Sequence, residues 1–103
     1  MSAPVKIMIV DDEPHLRSSL TFWFREEGYD VLSAGGGREA LATLVREAPQ
    51  ILLVDIKMPG MDGLEVLRKV RETSPETTVI IMTAYASVET AIQALKDGAY
   101  DYI

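Results

Sequence analysis

With 103 residues, 48% of them apolar and 25% charged, the chain has room for one core and the composition of an ordinary globular domain. It has no cysteine, which excludes disulfides and thiolate metal sites, and its net charge of −6 argues against this segment contacting nucleic acid directly. No apolar run approaches the ~20 residues that cross a bilayer and no signal-peptide pattern opens the chain, so the expectation is a cytoplasmic protein without membrane contact.

Val5 to Val10 is an almost unbroken apolar run, the pattern of a parallel strand buried on both faces. Asp11, Asp12 and Glu13 follow it, and Pro14 suits the first turn of a helix whose apolar stripe is Leu16, Leu20, Trp23 and Phe24. Gly28 marks that helix's exit, and the more mixed Tyr29 to Ala34 reads as an edge strand. Gly35, Gly36 and Gly37 lack the Lys-Ser/Thr of a phosphate loop and read as a turn. A second helix with Leu41, Leu44, Val45 and Ala48 on its stripe precedes the apolar strand Ile51 to Asp55. Pro59 to Gly63 is turn-rich. Asp62 with Glu65 forms a capping-box-like pair for a third helix facing inward through Leu64, Leu67 and Val70. The strand Thr78 to Met82 leads to a fourth helix, capped by Ser87, with Val88, Ala91, Ile92 and Leu95 on its stripe; Gly98 ends it, and Tyr100 to Ile103 begins a fifth strand.

Strands alternating with helices at this length predict an α/β open, doubly wound parallel sheet. Ligands of such sheets sit beyond the carboxyl ends of the strands. The residues found there are Asp11, Asp12 and Glu13 after the first strand, Asp55 at the end of the third, and Thr83 and Ala84 after the fourth. Carboxylates brought together raise one another's pKa, and a hard divalent ion relieves the repulsion; magnesium, which takes carboxylate, water and phosphate oxygens, is the natural candidate. Each residue also has a plainer reading. Acidic side chains favour helix starts, Thr favours strands, and His15 beside Pro14 reads as a surface residue. Asp55 resists the plainer reading best, because it directly follows the apolar Ile51 to Val54.

Four segments in order, IMIVDDE at 7 to 13, ILLVDIKMPGMDG at 51 to 63, IIMTAYAS at 80 to 87 and KDGAYDYI at 96 to 103, resemble the receiver domains of two-component response regulators. The last two look most like receivers joined to AAA+ transcription activators of the NtrC-like kind. The resemblance implies a five-stranded sheet of flavodoxin-like order 2-1-3-4-5, and a domain that is a signalling switch rather than a turnover enzyme. By the same resemblance Asp55 is the phosphoacceptor, taking its phosphoryl group from a sensor histidine kinase. Asp11, Asp12, Asp55 and the backbone carbonyl of Lys57 are the magnesium site, with Asp12 the direct ligand of the Asp11-Asp12 pair. Thr83 and Ala84 receive the phosphoryl group, Thr83 and Tyr102 form the switch, and Lys57 and Tyr85 tune the lifetime of the acyl phosphate.

Receivers carry a lysine shortly after the fifth strand and then a final helix, and neither occurs before Ile103. The expectation is therefore a receiver domain over 1–103, cut after the fifth strand, whose output domain lies beyond it. A homodimer or swapped oligomer would cover the face left by the missing helix. Three competing readings are a receiver-like binding module without phosphorylation, a haloacid-dehalogenase-type phosphohydrolase and a flavodoxin-like cofactor binder. Lys57 stands where the phosphohydrolase needs a second Asp, and Asp11, Asp12 and Glu13 would repel a flavin phosphate.

Overall fold

A computed structural model describes residues 4–82 and 88–103; Thr83, Ala84, Tyr85 and the expected cap Ser87 lie outside them, and Tyr102 is placed by its backbone alone. The order is β1 (Lys6–Val10), α1 (Pro14–Glu26), β2 (Asp30–Ala34), α2 (Gly37–Glu47), β3 (Ile51–Asp55), α3 (Gly63–Thr73), β4 (Thr78–Met82), α4 (Val88–Lys96) and β5 (Asp101–Tyr102). Four parallel strands of five residues each lie in the order β2-β1-β3-β4, and the two-residue β5 pairs parallel with the outer side of β4. Order reverses between β1 and β3, whose register sets Val10 opposite Val54 and so ends both strands at one level.

The alternation of side chains splits the core between the two faces of the sheet. Met8, Val10, Leu52, Val54, Val79 and Ile81 join Val66, Leu67 and Val70 of α3 and Ala40 and Leu44 of α2 in the larger cluster. On the other face Ile7, Ile9, Val31 and Leu53 pack with Leu20 and Phe24 of α1, while Ile51, Ile80 and Met82 are only partly buried. Continuous apolar strands arise because both faces need cover, as the sequence indicates.

Three helical stripes differ from expectation. On α1, Leu20 and Phe24 face the sheet but Leu16 and Trp23 are exposed. On α2 the buried residues are Gly37, Ala40, Thr43 and Leu44, whereas Val45 is 82% exposed and Ala48 is the C-cap, left-handed at φ 47°. On α4, Ala94 is fully buried while Ile92 and Leu95 are about half exposed, at 49% and 51%. On α2 close packing accounts for the difference: the small Gly37 and Ala40 turn inward beside Leu44, while Val45, one position on, points outward. Gly37 shows how close the approach is, since a Cβ there would lie 2.9 Å from both Met61 and Val66.

Helix ends follow the expected chemistry. The Asp62 carboxylate accepts from the Glu65 amide at 2.9 Å. Gly28 exits α1 with φ 96°, where Tyr29 N–H donates to Phe24 C=O and Gly28 N–H donates to Arg25 C=O, closing a Schellman motif over a Phe24–Tyr29 ring contact.

Candidate functional site

The ends of β1 and β3 present three carboxylates together. One oxygen from each of Asp11, Asp12 and Asp55 falls within 4.8 Å of the others, close enough to share one cation. Their settings differ. Asp11 is 1% exposed, Asp55 is half-buried and Asp12 is open to solvent.

Asp11 is held from several directions. Its amide donates to Ala34 C=O at 3.1 Å, extending the β1–β2 ladder, and its carbonyl accepts from Arg17 at 2.7 Å. Its Oδ1 accepts from the Glu13 amide at 2.9 Å, while its buried Oδ2 has no hydrogen-bond partner among the described residues. A buried carboxylate oxygen without a donor is costly, and a cation is the partner its charge calls for. Burial raises the Asp11 pKa above the ordinary value, opposed by the Glu13 amide and reinforced by the charges of Asp12 and Glu13. Asp55 is raised likewise, first by burial and then by the charge of Asp11, with the Lys57 amide pulling the other way. Both carboxyls are thus destabilised as anions until positive charge arrives.

The segment after Asp55 is fixed from inside. Ile56 and Met58 are buried in the larger cluster, so the intervening Lys57 faces outward at the cluster's rim. The Ile56 amide donates to Met82 C=O at 3.3 Å, and Ile56 C=O accepts from the Gly63 amide at 2.9 Å. A Cβ on Gly63 would collide with the Asp55 carbonyl oxygen and lie 2.8 Å from the Ile56 Cα. The start of α3 therefore lies directly against the backbone that carries Asp55, an approach only glycine permits.

Glu13 is not a member of the cluster. It is the N-cap of α1, accepting from the amides of Leu16 at 2.7 Å and His15 at 3.2 Å, and these bonds lower its pKa. The plainer reading of acidic helix starts holds for this residue and fails to account for Asp11. His15 is exposed, as expected for a surface residue. The expected roles of Thr83, Ala84 and Tyr85 fall outside the described residues, and the Tyr102 backbone is part of β5.

Sequence reasoning did not find the inward anchors Ile56 and Met58 or the contact made by Gly63. The signals were present, because the in-out alternation of β3 continues through Ile56, Lys57 and Met58.

A paired Asp at the end of one strand and a single Asp at the end of its neighbour, joined over a cation-sized gap, coincide with a match of residues 7–103 to the response regulator receiver domain. The chain belongs to that family. This receiver is 45% identical over 103 residues to the regulatory protein AtoC of Escherichia coli, covering all of this chain and 22% of AtoC. It is 38% identical to the DNA-binding transcriptional regulator NtrC of Salmonella typhimurium, covering 94% of this chain and 21% of NtrC. The receiver thus spans about a fifth of these curated relatives. Among solved structures, the chemotaxis protein CheY4 of Vibrio cholerae superposes with a TM-score of 0.93 at 30% identity, covering 98% of this chain and 86% of CheY4. A response regulator from Burkholderia pseudomallei, described as carrying a phosphorylated aspartic acid and a calcium ion, superposes at 0.90 with 30% identity, covering 95% of this chain and 58% of that one. The fold is the CheY-like, flavodoxin-like α/β fold with a parallel sheet, and receivers of this family are phosphorylation-based switches that regulate output domains.

Proposed function

We propose that Asp55 is the phosphoacceptor of this receiver and that magnesium is held by Asp11, Asp12, Asp55 and the Lys57 carbonyl. The observation that carries this reading is the buried, unpartnered Asp11 Oδ2 within a three-carboxylate cluster at the switch point of the sheet. The donor set fits the ion: it is all oxygen and leaves room for water and phosphate oxygens, as magnesium prefers. When bound, magnesium supplies positive charge between the nucleophile and the incoming phosphoryl oxygens.

The chain's own part is to hold a carboxylate in place. Asp55 is positioned by the β3 register, by Ile56 and Met58 buried behind it and by Gly63 against its backbone. Its carboxylate oxygen attacks the phosphorus of a phosphohistidine on a sensor kinase; the P–N bond breaks, an acyl phosphate forms, and the imidazole leaves and takes up a proton. By family likeness Thr83 and Ala84 receive the phosphoryl oxygens, Thr83 and Tyr102 transmit the change, and Lys57 and Tyr85 set its lifetime. The five-stranded order 2-1-3-4-5 belongs to this reading, with β5 as its short fifth strand. So do residues 1–103 acting as one receiver domain in the cytoplasm, self-association as the means of covering the partly bare sheet face, and an output domain that regulates transcription and makes any nucleic-acid contact. Likeness to AtoC and NtrC supports the output assignment.

The test is to incubate the protein with acetyl phosphate and magnesium and measure intact mass. Wild type gains one phosphoryl group, and neither Asp55→Asn nor wild type in excess chelator does. A gain that persists in Asp55→Asn contradicts the assignment.

A further inference from the structure

Away from the carboxylate cluster, a groove of about 410 Å³ runs between α1 and β2, lined by Arg17, Ser18, Thr21, Phe22, Arg25 and Ser33. Its composition runs against that of the chain. In a protein of net charge −6 the groove has two arginines and no carboxylate in its lining, and neither arginine forms an ion pair among the described residues. Ser18, Thr21 and Ser33 have no side-chain hydrogen bond to a described residue. Phe22, 68% exposed, forms an apolar wall. Glu39 accepts from the Gly35 amide at 2.9 Å and Glu13 caps α1; the charges of Glu13 and Asp11 reach Arg17 without forming an ion pair with it, and no such interaction is seen at Arg25 among the described residues.

Both guanidiniums are anchored through one nitrogen, which leaves their other donors free of ion pairing. Arg17 donates to Asp11 C=O at 2.7 Å and its Nη1 lies beside Gly35 at the far end of β2; Arg25 donates to Val31 C=O at 3.2 Å near the start of β2. From Val31 to Gly35 is four residues of extended chain, about 13 Å at ~3.3 Å per residue. The helix gives the same spacing, since eight residues from Arg17 to Arg25 rise about 12 Å. A phosphate or a short dicarboxylate is too small to bridge that distance. Two acidic side chains four residues apart in an extended peptide match it, with a residue between them to meet Phe22. β2 is moreover the outermost strand of the sheet, alongside which an extended segment can lie.

We propose that this groove is a docking site for an extended acidic peptide segment of a partner protein, read by Arg17 and Arg25 as a pair. The groove contains none of the phosphoacceptor carboxylates, but Arg17 also holds the Asp11 carbonyl, so the test needs no phosphorylation and varies Arg25 rather than Arg17. The probe is a fluorescein-labelled peptide with two glutamates four positions apart and a leucine midway, followed by fluorescence anisotropy on the whole chain at low salt. Expected is saturable binding that weakens about tenfold in Arg25→Gln, as losing one charge-assisted contact would give. Replacing one glutamate of the peptide by glutamine should weaken binding to wild type by a similar factor and cost little further in Arg25→Gln. Ser33→Phe, which fills the groove from an exposed position, should also block binding; thermal melts of both variants would show that they fold. Absence of saturable binding, binding indifferent to Arg25→Gln in a folded variant, or displacement by inorganic phosphate at the peptide's own concentration would each overturn the proposal.

Discussion

The two helices that flank β4 in sequence are held in very different ways. Helix α3 buries Gly63, Val66, Leu67 and Val70, begins against the backbone of Asp55 and is capped by Asp62. Helix α4 buries Ala94, with larger residues such as Ile92 and Leu95 half exposed. Its C-terminal end is tied to α3 by surface contacts: Arg68 pairs with Asp97 at 3.2 Å, and the Arg71 side chain lies against Gly98. Elements with little buried apolar area open at low free-energy cost, whereas a phosphoryl-transfer site needs its carboxylates held still. The proposed phosphoacceptor thus lies on the side anchored by α3, while the described side chains of α4 are more lightly held.

Core truncations should separate the two helices most sharply. Leu67→Ala in α3 is expected to cost about 2–5 kcal/mol, and Leu95→Ala in α4 no more than about 0.5 kcal/mol, by urea denaturation. Comparable losses would mean that α4 is packed as firmly as α3.

Magnesium should act on the anchored side with nearly as large an effect, stabilising the fold by about 2.7 kcal/mol at a concentration 100 times its Kd. The pH dependence has a definite sign. Asp11 and Asp55 have pKa values raised above the ordinary 3.8, so the folded chain binds protons more tightly than the unfolded one. Without metal their contribution to stability therefore falls as pH rises from 3.8 through the raised values. With magnesium the trend reverses, because the ion requires both carboxylates ionised. Melting curves from about pH 4 to 8, with and without magnesium, should diverge as pH rises; parallel curves would contradict the cluster's role.

Next in size is Gly63→Ala, expected to destabilise by about 1–3 kcal/mol and to weaken magnesium binding, since the added methyl must displace the Asp55 backbone. Asp97→Asn, which removes the Arg68 partner at the lightly held end, should change stability by less than about 1 kcal/mol. It should instead raise amide exchange within α4 while leaving α3 unchanged.

How far the sequence spoke for the fold depends on which signal each element used. Strands buried on both faces are legible as unbroken apolar runs, and the caps at Pro14, Asp62, Gly28 and Gly98 are local chemistry. The inward faces of α2 and α4 were legible only in part: Leu44 is buried and Leu41 packs on the core, but Val45, Ile92 and Leu95 point outward while the small Ala40 and Ala94 are buried. At the candidate site, Asp11, Asp12 and Asp55 were legible from strand ends and family likeness. That Asp11 is buried while Glu13 turns away to cap α1 was not, since neighbouring acids look alike until the helix start is placed.

Isothermal titration with magnesium tests the central claim most directly, comparing wild type with Asp11→Asn, Asp55→Asn and Glu13→Gln. One site is expected, weakened at least about tenfold by either aspartate substitution, the effect of losing about 1.4 kcal/mol of binding, and left unchanged by Glu13→Gln. Equal weakening by Glu13→Gln, or undiminished binding in Asp11→Asn, would contradict it.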